Sequence, residues 1–517
     1  MRHRDAREPE QCAHPLERLG EPARVRVGGD ARGQRRTLAL LCKRAQHHAR
    51  DPGGGQPLVQ RAPALLRPAL GASILRARVH PEQRYARTVT LQINGKLAVA
   101  KRINVFGALT VTGAISAGQL SATNVNAPSI VVSSGGITRF LFPNEPTINP
   151  LHTITTNSLT STGGINFNGT DFNTPPGIGP ADGGQLTINV PSLTFGPSGA
   201  DNIQGSVTFN GGNNPNSPGP AGGGGTFTVN TTGAITVSSP IEATSGQVQS
   251  SSESSGAGGT VNLNSTGGTI SVNSPITVSS AEPAAGKPRR HSRSGGNINL
   301  QSNTTGVAIN VTSTGQLLSL LEAAAPGPGG KITILATATG SRVNVNGDPG
   351  SAGTPPIDTI RADRGSVDIR HTGDSGTIGL TNAQISADIV KVGALGNNGS
   401  LTIGGGRISA DTILKLYAVG SNGSVNFVSN VTLTGNSLKI IAGNTVTVQN
   451  NVVVQVGGGN RADVYVPDLN HANYSNFNGG NNSTNGVFII EGTGSSPVNG
   501  ANTIFGPPPA FGPPGGP

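Results

Sequence analysis

The sequence predicts an all-β fold, a parallel β-helix (β-solenoid), and three observations predict it. Apolar and polar residues alternate in short stretches, as in Val261-Asn262-Leu263, and a period of two is typical of half-buried strands. Gly, Pro, Ser and Asn interrupt these stretches every few residues, so that no span is long enough for a regular helix. The same phrase also recurs, because Phe227 and Val261 stand at equivalent places 34 residues apart. A repeat of this length indicates stacked units.

Each repeat is predicted to form one rung of three strands, with apolar side chains inside and Asn, Thr and Ser outside. The stretch from Gly258 to Ser279 contains three such apolar pairs: Val261 and Leu263, Ile270 and Val272, Ile276 and Val278. Rungs stack at ~4.8 Å, which brings Asn and Thr into register for side-chain ladders. One core column is predicted to contain the following residues or their immediate neighbours: Val229, Val261, Ile298, Ile332, Val367 and Leu401.

A short phrase, usually Gly-Gly or Gly-Ser before a strand, opens each predicted rung. It begins at residues 183, 224, 258, 295, 329, 365, 399 and 423. A variable polar segment, such as 244–257 or 281–294, ends a unit, and insertions at one place in a repeat lie at one corner of a solenoid. The insertion is absent after Gly423. An array of Ig-like sandwiches is the alternative fold, but it needs ~100 residues per unit.

Composition divides the chain into four segments. Residues 1–88 are rich in Arg, Pro and Ala, and residues 1–90 contain 18 Lys and Arg against 8 Asp and Glu, whereas the remainder is balanced. Residues 89–182 are interpreted as irregular first rungs or a cap, and residues 183–460 as the regular β-helix. Residues 461–517 are interpreted as an irregular cap followed by a disordered Pro/Gly tail.

The basic segment has three interpretations, namely a nucleic-acid-binding arm, a disordered leader or a misassigned start. It has no signal-peptide pattern, and a misassigned start would hide a true export signal. Both cysteines, Cys12 and Cys42, lie in it, so no disulfide is expected in the repeats. The repeats carry no net positive charge that would attract nucleic acid. No apolar run approaches the ~18 residues of a membrane span. Neither nucleic acid nor a membrane is therefore expected as a partner.

The phrase GGTVNLNSTGGTISVNSPITVSS and its copies resemble the filamentous haemagglutinin-like family of large bacterial exoproteins. The resemblance covers about residues 90–460 and rests on the repeats, the Gly-Gly openings and the richness in Asn and Thr. It implies a surface-exposed or released β-helical adhesin, exported by an autotransporter route or through a separate outer-membrane transporter. The Asn-Pro-Asn-type motif of the family's secretion domain is not evident in this sequence.

The same fold hosts polysaccharide lyases and hydrolases, so a pectate lyase-like enzyme is the alternative class. Carbohydrate cleavage uses paired carboxylates, or an acidic calcium site with a basic residue. The densest charged stretch of the repeats is 358–374, where Asp363 and Asp368 are the candidate acid/base pair and Arg370 the candidate charge stabiliser. The alternative interpretation of this stretch is a solvated outer face with weak ion pairs.

One basic loop in the repeats is a candidate site for an anionic ligand, with Lys287, Arg289, Arg290 and Arg293 as its cations. The alternative is a hydrated loop without a ligand. The histidines of the repeats lack metal-ligand spacing, and neither a phosphate loop nor a calcium repeat is present, so no metal or cofactor is expected.

These observations favour a non-enzymatic, secreted or cell-surface repeat protein. It would present loops for multivalent attachment to a glycan or protein on a host or neighbouring cell. Two alternatives stay open: the polysaccharide-degrading enzyme, and a fragment of a larger exoprotein without separate activity.

Overall fold

The computed structural model confirms the predicted fold class. It describes residues 24–25, 89–139, 151–171, 180–214, 220–247, 256–280, 294–321, 328–350, 356–449, 452, 454–457, 462–468, 477–479, 488–493 and 503–506 of the 517-residue chain. Its regular elements there are strands, which form one 35-stranded sheet. The pairings are parallel, and each strand pairs with the equivalent strand of the next rung. The sheet therefore coils into a parallel β-helix with three faces, here called A, B and C in chain order.

Face A receives the strand that opens each rung of the central repeats. Its short N-terminal pair is β1 (Arg24–Val25) with β2 (Val89–Ile93), and the last thirds of the long strands β3 (Leu97–Val111) and β4 (Ala114–Asn126) follow. The face continues through β7 (Leu151–Thr155), β10 (Gln185–Asn189), β14 (Thr226–Thr231), β17 (Thr260–Ser265), β20 (Asn297–Ser302) and β23 (Lys331–Ala336). It then takes the ends of β25 (Ile360–His371), β26 (Thr377–Ala394) and β27 (Ser400–Ala418), followed by β29 (Ser437–Ala442), β32 (Ala462–Asp468), β34 (Phe488–Thr493) and β35 (Thr503–Gly506).

Face B begins with the first parts of β3 and β4. It continues through β5 (Ser129–Val132), β8 (Leu159–Ser161), β11 (Leu193–Phe195), β12 (Asn202–Ile203), β15 (Ile235–Val237), β18 (Ile270–Val272), β21 (Val307–Val311) and β24 (Arg342–Asn346). The first parts of β26, β27 and β28 (Ser424–Thr434) and then β30 (Thr445–Val448) complete it. One irregularity interrupts this face, because β12 pairs with both β8 and β11 and so adds a layer between two rungs.

Face C is the narrowest, with several strands of two residues. It contains the middle of β3 and β4, then β6 (Ile137–Thr138), β9 (Ile165–Asn166), β13 (Val207–Thr208), β16 (Ile241–Glu242), β19 (Ile276–Ser279) and β22 (Leu317–Leu320). Parts of β25, β26, β27 and β28 extend it to β31 (Val454–Gly457) and β33 (Phe477–Gly479).

Alternate side chains of the rungs from β2 to β30 point into the coil and form one continuous core. In β17, Val261 and Leu263 are fully buried, whereas Asn262 and Asn264 lie on the outer surface. Burying an aliphatic side chain of this size contributes ~1.5–3 kcal/mol. Because each rung adds its own set, stability accumulates along the axis.

The predicted core column agrees with the register at four of its six positions. Val261, Ile298, Ile332 and Val367 pair in consecutive rungs and are fully buried. Phe227, not Val229, pairs with Val261, so Val229 belongs to the neighbouring column that contains Leu263. Leu401 lies on face B, where it pairs with Ile378, and the prediction that it continues the face A column is wrong.

A change of rung length explains the error at Leu401. The phrase at 365 opens a face A strand, but the phrases at 399 and 423 open face B segments. From β25 onward the C-to-A insertion is gone, and Val367, Val390 and Leu414 follow one another on face A after only 23 and 24 residues. The sequence pattern predicts this loss after Gly423, which is more than two rungs too late.

The regular part of the solenoid also extends beyond the predicted limits of 183 and 460. Residues 97–138 already form rungs in which β3 and β4 each contribute to all three faces. At the other end, β32, β34 and β35 continue face A past residue 461. Residues 1–88, apart from β1, lie outside the described residues, as does the Pro/Gly tail after Gly506.

Outer side chains form the ladders that the Asn-rich pattern predicts. On face A, Asn264 Nδ2 donates to Asn230 Oδ1 at 2.9 Å, and Asn230 Nδ2 donates to Asn189 Oδ1 at 2.9 Å. In a parallel column, Asn299 Nδ2 donates to Asn262 Oδ1 at 2.8 Å. Each such bond adds ~0.5–1.5 kcal/mol and fixes the register of adjacent rungs.

Aromatic rings contact one another in the part of the described core between residues 152 and 227. Phe227 stacks on Phe209 with ring centroids 4.8 Å apart, and Phe209 stacks on Phe167 at 5.3 Å. Phe195 and Phe227 form a T-shaped pair with ring centroids 5.7 Å apart, and His152 and Phe167 form another at 4.9 Å.

Candidate functional site

Long connections gather at one corner of the solenoid, between the end of face C and the start of face A. They occur in six consecutive rungs, at residues 139–150, 167–184, 209–225, 243–259, 280–296 and 321–330. The other connections of these rungs are short turns, except for residues 347–359 between β24 and β25. This arrangement agrees with the prediction that insertions share one corner, which we call the insertion corner.

The described residues at the two ends of these insertions, here called the insertion bases, continue the hydrogen bonding between rungs beyond the strands. Outgoing and returning segments alternate in one backbone ladder: Ala181 N donates to Thr170 O, Gly212 N to Ala181 O, Gly222 N to Gly212 O, and Gly246 N to Gly222 O. Side chains reinforce it, since Asn210 accepts from the amide of Thr244 at 2.9 Å. The insertions therefore leave the body from anchored bases.

Two recesses lie at the C-terminal end of the series of insertions. The larger, about 650 Å³, lies at the insertion corner, and the smaller, about 530 Å³, lies at the corner between faces B and C. Ser386 and Ser409 of face C line both recesses, so the two are joined across a floor of small polar side chains. Charged side chains border this groove: Asp358, Arg361, Asp363, Arg364, Arg407 and Asp411.

Asp363 lies in the larger recess and has two partners. Its Oδ1 accepts from Arg361 Nε at 2.6 Å, and its Oδ2 accepts from the amide of Leu321 at 3.3 Å. Arg361 also approaches Asp358 Oδ2 at 3.5 Å. The hydrogen bond that Arg361 donates to Asp363 is the main cause that raises the pKa of Arg361 above its usual value, so this cation stays charged.

Asp368 and Arg370 lie elsewhere, on the outer surface of face A. Arg370 Nε and Asp368 Oδ1 are 3.0 Å apart, an ion pair whose angles do not make a hydrogen bond. Neither residue lines the groove that contains Asp363. The predicted acid/base pair of Asp363 and Asp368 is thus divided between a corner recess and a flat face, which does not form a catalytic pair in one cleft.

Asp411 is the carboxylate that shares the recess with Asp363, and the sequence analysis missed it. Ala362, Ala387 and Ala410 are in register on face C, and an Asp follows each of them directly along the chain. This recurrence of Ala-Asp would have indicated a column of carboxylates, but only with the shorter rung length known. Two carboxylates beside arginines in a polar groove suit the binding of a hydroxyl-rich ligand.

His371 belongs to the charged stretch but serves the core. It is fully buried, its Nδ1 lies 3.1 Å from Gly373 O, and its Nε2 lies 2.6 Å from Ser341 Oγ. A carbonyl only accepts, so Nδ1 carries the proton. The Ser341 hydroxyl also donates to Ala338 O at 2.8 Å, which holds it beside the ring. Burial is the main cause that lowers the pKa of His371 below 6.5.

The stability of the fold should therefore fall in acid through His371. The folded pKa is depressed, so the unfolded chain binds the proton more readily, and stability is lost as pH drops below the unfolded value of ~6.5. This residue alone contributes at most ~1.4 kcal/mol per pH unit between the two pKa values. Urea unfolding at pH 7.5 and 5.0 measures this slope, and His371→Gln should flatten it. An equal slope in both proteins would contradict the assignment.

The remaining predicted site residues lie outside the description of the structure. Residues 281–293, with Lys287, Arg289, Arg290 and Arg293, are not among the described residues. In the described ranges, no group of three or more His, Cys, Asp or Glu side chains is placed to hold a metal ion. The same ranges contain no helix that is both long and apolar enough to cross a bilayer.

Comparison with models of protein families, with curated proteins and with solved structures gives no match for this chain.

Proposed function

We propose that this chain is a non-enzymatic, secreted or cell-surface β-helical protein that attaches to other surfaces through its insertion corner. The observation that carries the proposal is the position of six long connections in one line along the axis. Insertions arranged in such a line can contact an extended surface at the same time. Weak contacts then add up, since each further contact is made at high effective concentration.

The rigid body below the insertions supports this function. The backbone ladder that joins Thr170, Ala181, Gly212, Gly222 and Gly246 holds the insertion bases at fixed spacing. Pre-organised contacts lose less entropy on binding than flexible ones. The partner is a glycan or protein on a host or neighbouring cell, and export through a separate outer-membrane transporter is part of the same proposal.

Loop replacement tests the attachment. Residues 281–293 and 322–327 are replaced, singly and together, by Gly-Ser segments of equal length in the full chain. Retention on immobilised cell-surface glycans and on intact cells is then measured. Each single replacement should weaken retention a few-fold, and the double replacement by about the product of both factors or more. The matched control replaces residues 351–355, which belong to the connection between β24 and β25 and not to one of the six insertions. Retention unchanged by the double replacement would refute attachment through the insertion corner.

A polysaccharide-processing enzyme is the second candidate, and the groove with Asp363 and Asp411 is the observation that favours it. Pectin, alginate and xylan are incubated with the full chain, and the release of shorter products is followed. For an enzyme, Asp363→Asn or Asp411→Asn should abolish release, while Asp368→Asn on the flat face should leave it intact. Product release with this pattern would replace the first proposal, and no release from any of the three substrates supports attachment without catalysis.

A further inference from the structure

Three lysines stand directly above one another on the outer surface of face A. Lys391, Lys415 and Lys439 are register partners in the consecutive strands β26, β27 and β29. Rungs of a parallel sheet are ~4.8 Å apart, so the three side chains form a straight line of cations with that repeat. We call this line the lysine ladder.

Acidic residues stand at both ends of the lysine ladder, because Asp368 precedes Lys391 in register and Asp463 follows Lys439. None of its ammonium groups makes an ion pair with a described carboxylate. Asp368, the register partner of Lys391 in the preceding rung, is instead paired with Arg370. Like charges directly opposite one another destabilise a sheet. Burial and then the charges of Lys391 and Lys439 lower the pKa of Lys415, which reflects this repulsion.

Apolar side chains flank the ladder on both sides. Ile389 and Ile413 form the adjacent row on one side, and Ile413 is 38% exposed. Tyr417 and Ile441 form the row on the other side. The Tyr417 ring lies over the backbone of Gly393, where a Cβ would overlap it, and burial raises the pKa of its hydroxyl to about 12. Lys415 Nζ lies 5.2 Å from the centre of that ring.

The surface around the ladder is open. From β25 onward face C runs directly into face A, so no insertion lies between them to cover these strands. Lys391 is exposed, and Lys415 and Lys439 are half-exposed. A ligand can therefore lie along the solenoid axis across three rungs.

We infer that the lysine ladder binds a linear acidic polysaccharide, one acidic group to each rung. An extended glycan carries carboxylate or sulfate groups along a straight chain, and the apolar rows suit the C–H faces of its sugar rings. Duplex DNA fits less well, because each strand carries one phosphate per ~3.4 Å of helix axis and its phosphates wind away from a straight line. This surface is separate from the insertion corner, so it goes beyond the attachment function proposed above.

Two variants of equal charge test the inference in the full chain. Lys391→Gln/Lys415→Gln/Lys439→Gln removes the ladder, and Lys96→Gln/Lys101→Gln/Lys331→Gln removes three exposed lysines that do not form one. The probes are polygalacturonate and dextran sulfate, with neutral dextran and duplex DNA for comparison. The ladder variant should bind the acidic polymers about ten-fold more weakly, and the control variant less than about two-fold. Strand content by circular dichroism verifies that both variants are folded.

Zero-length carbodiimide coupling gives a second measurement, namely which lysines contact the polysaccharide. It reports each lysine separately, so binding by the basic residues 1–88 does not obscure it. Polygalacturonate coupled to the wild-type chain should attach at Lys391, Lys415 and Lys439 more than at Lys96, Lys101 and Lys331, as mapped by mass spectrometry. Equal losses of affinity in the two variants, or uniform coupling at all six lysines, would overturn the inference. Ladder-dependent binding that favours duplex DNA over the acidic polysaccharides would overturn it as well.

Discussion

Replacement of Phe227 by alanine should cost ~3–5 kcal/mol of stability. The ring is fully buried and contacts two other rings, stacked on Phe209 at 4.8 Å and edge-on to Phe195 at 5.7 Å. The variant loses the transfer free energy of the ring and leaves a cavity between two rungs. Aromatic pairs contribute ~0.5–1.5 kcal/mol beyond their buried area, so the loss should lie toward the upper end.

Hydrogen exchange and urea unfolding measure the effect of Phe227→Ala. In a stacked array the loss is greatest near the altered rung, so the amides of β14 and β17 should exchange faster than those of β27. Thr226→Ala is the matched control, because Thr226 begins the same strand and points outward. A urea midpoint for Phe227→Ala equal to that of Thr226→Ala would show that the aromatic stack does not stabilise the fold.

Replacement of Gly259 by valine should be comparably damaging, at ~3 kcal/mol or more. A Cβ at Gly259 would overlap the carbonyl oxygen of Gly225 and would lie 2.7 Å from Ala243 Cβ. Both neighbours belong to the preceding rung, and one of them is backbone, so the side chain has no space unless the rungs separate. This close approach is the physical reason for the Gly-Gly phrase that opens the face A strands.

Gly379→Val is the matched control for Gly259→Val. Gly379 lies in β26 with its Cβ direction outward, and its nearest neighbour would be Asn344 Oδ1 at 3.5 Å. A β-branched residue is favoured in such a position, so this variant should be neutral or more stable by up to ~1 kcal/mol. Thermal unfolding followed by circular dichroism compares the two. Similar melting temperatures would mean that the rungs are not packed as tightly as Gly259 indicates.

The repeated apolar pairs predict the fold because rungs of nearly equal length place equivalent residues in register. Val261, Ile298 and Ile332 come from units with the same opening phrase, and they stack as predicted. The prediction fails at Leu401, which lies on face B. Its opening phrase, Gly399-Ser400, is of the same kind as the Gly-Ser phrase at 365, but it starts a strand of face B, because face C by then runs straight into face A.

The charged residues are harder to predict than the core. Asp363 and Asp368 are close in sequence, but the bulge between Ala362 and Ser366 turns the corner between them. Conversely, Lys391, Lys415 and Lys439 are far apart in sequence and adjacent in space. The alternation of apolar and polar residues shows that a side chain points outward, but not which outer side chains of other rungs lie beside it. Those neighbours can be predicted only when the number of residues per rung is known.

The alignment of the backbone hydrogen bonds with the solenoid axis has a mechanical consequence. Tension applied between the two ends loads the rungs in series, and each rung is joined to the next only by its own ladder and one turn of chain. The coil should lengthen in discrete steps of one rung. These steps should be longest where the rungs carry insertions. They should shorten by about a third beyond β25, where a rung has 23 or 24 residues instead of the 34 between Phe227 and Val261.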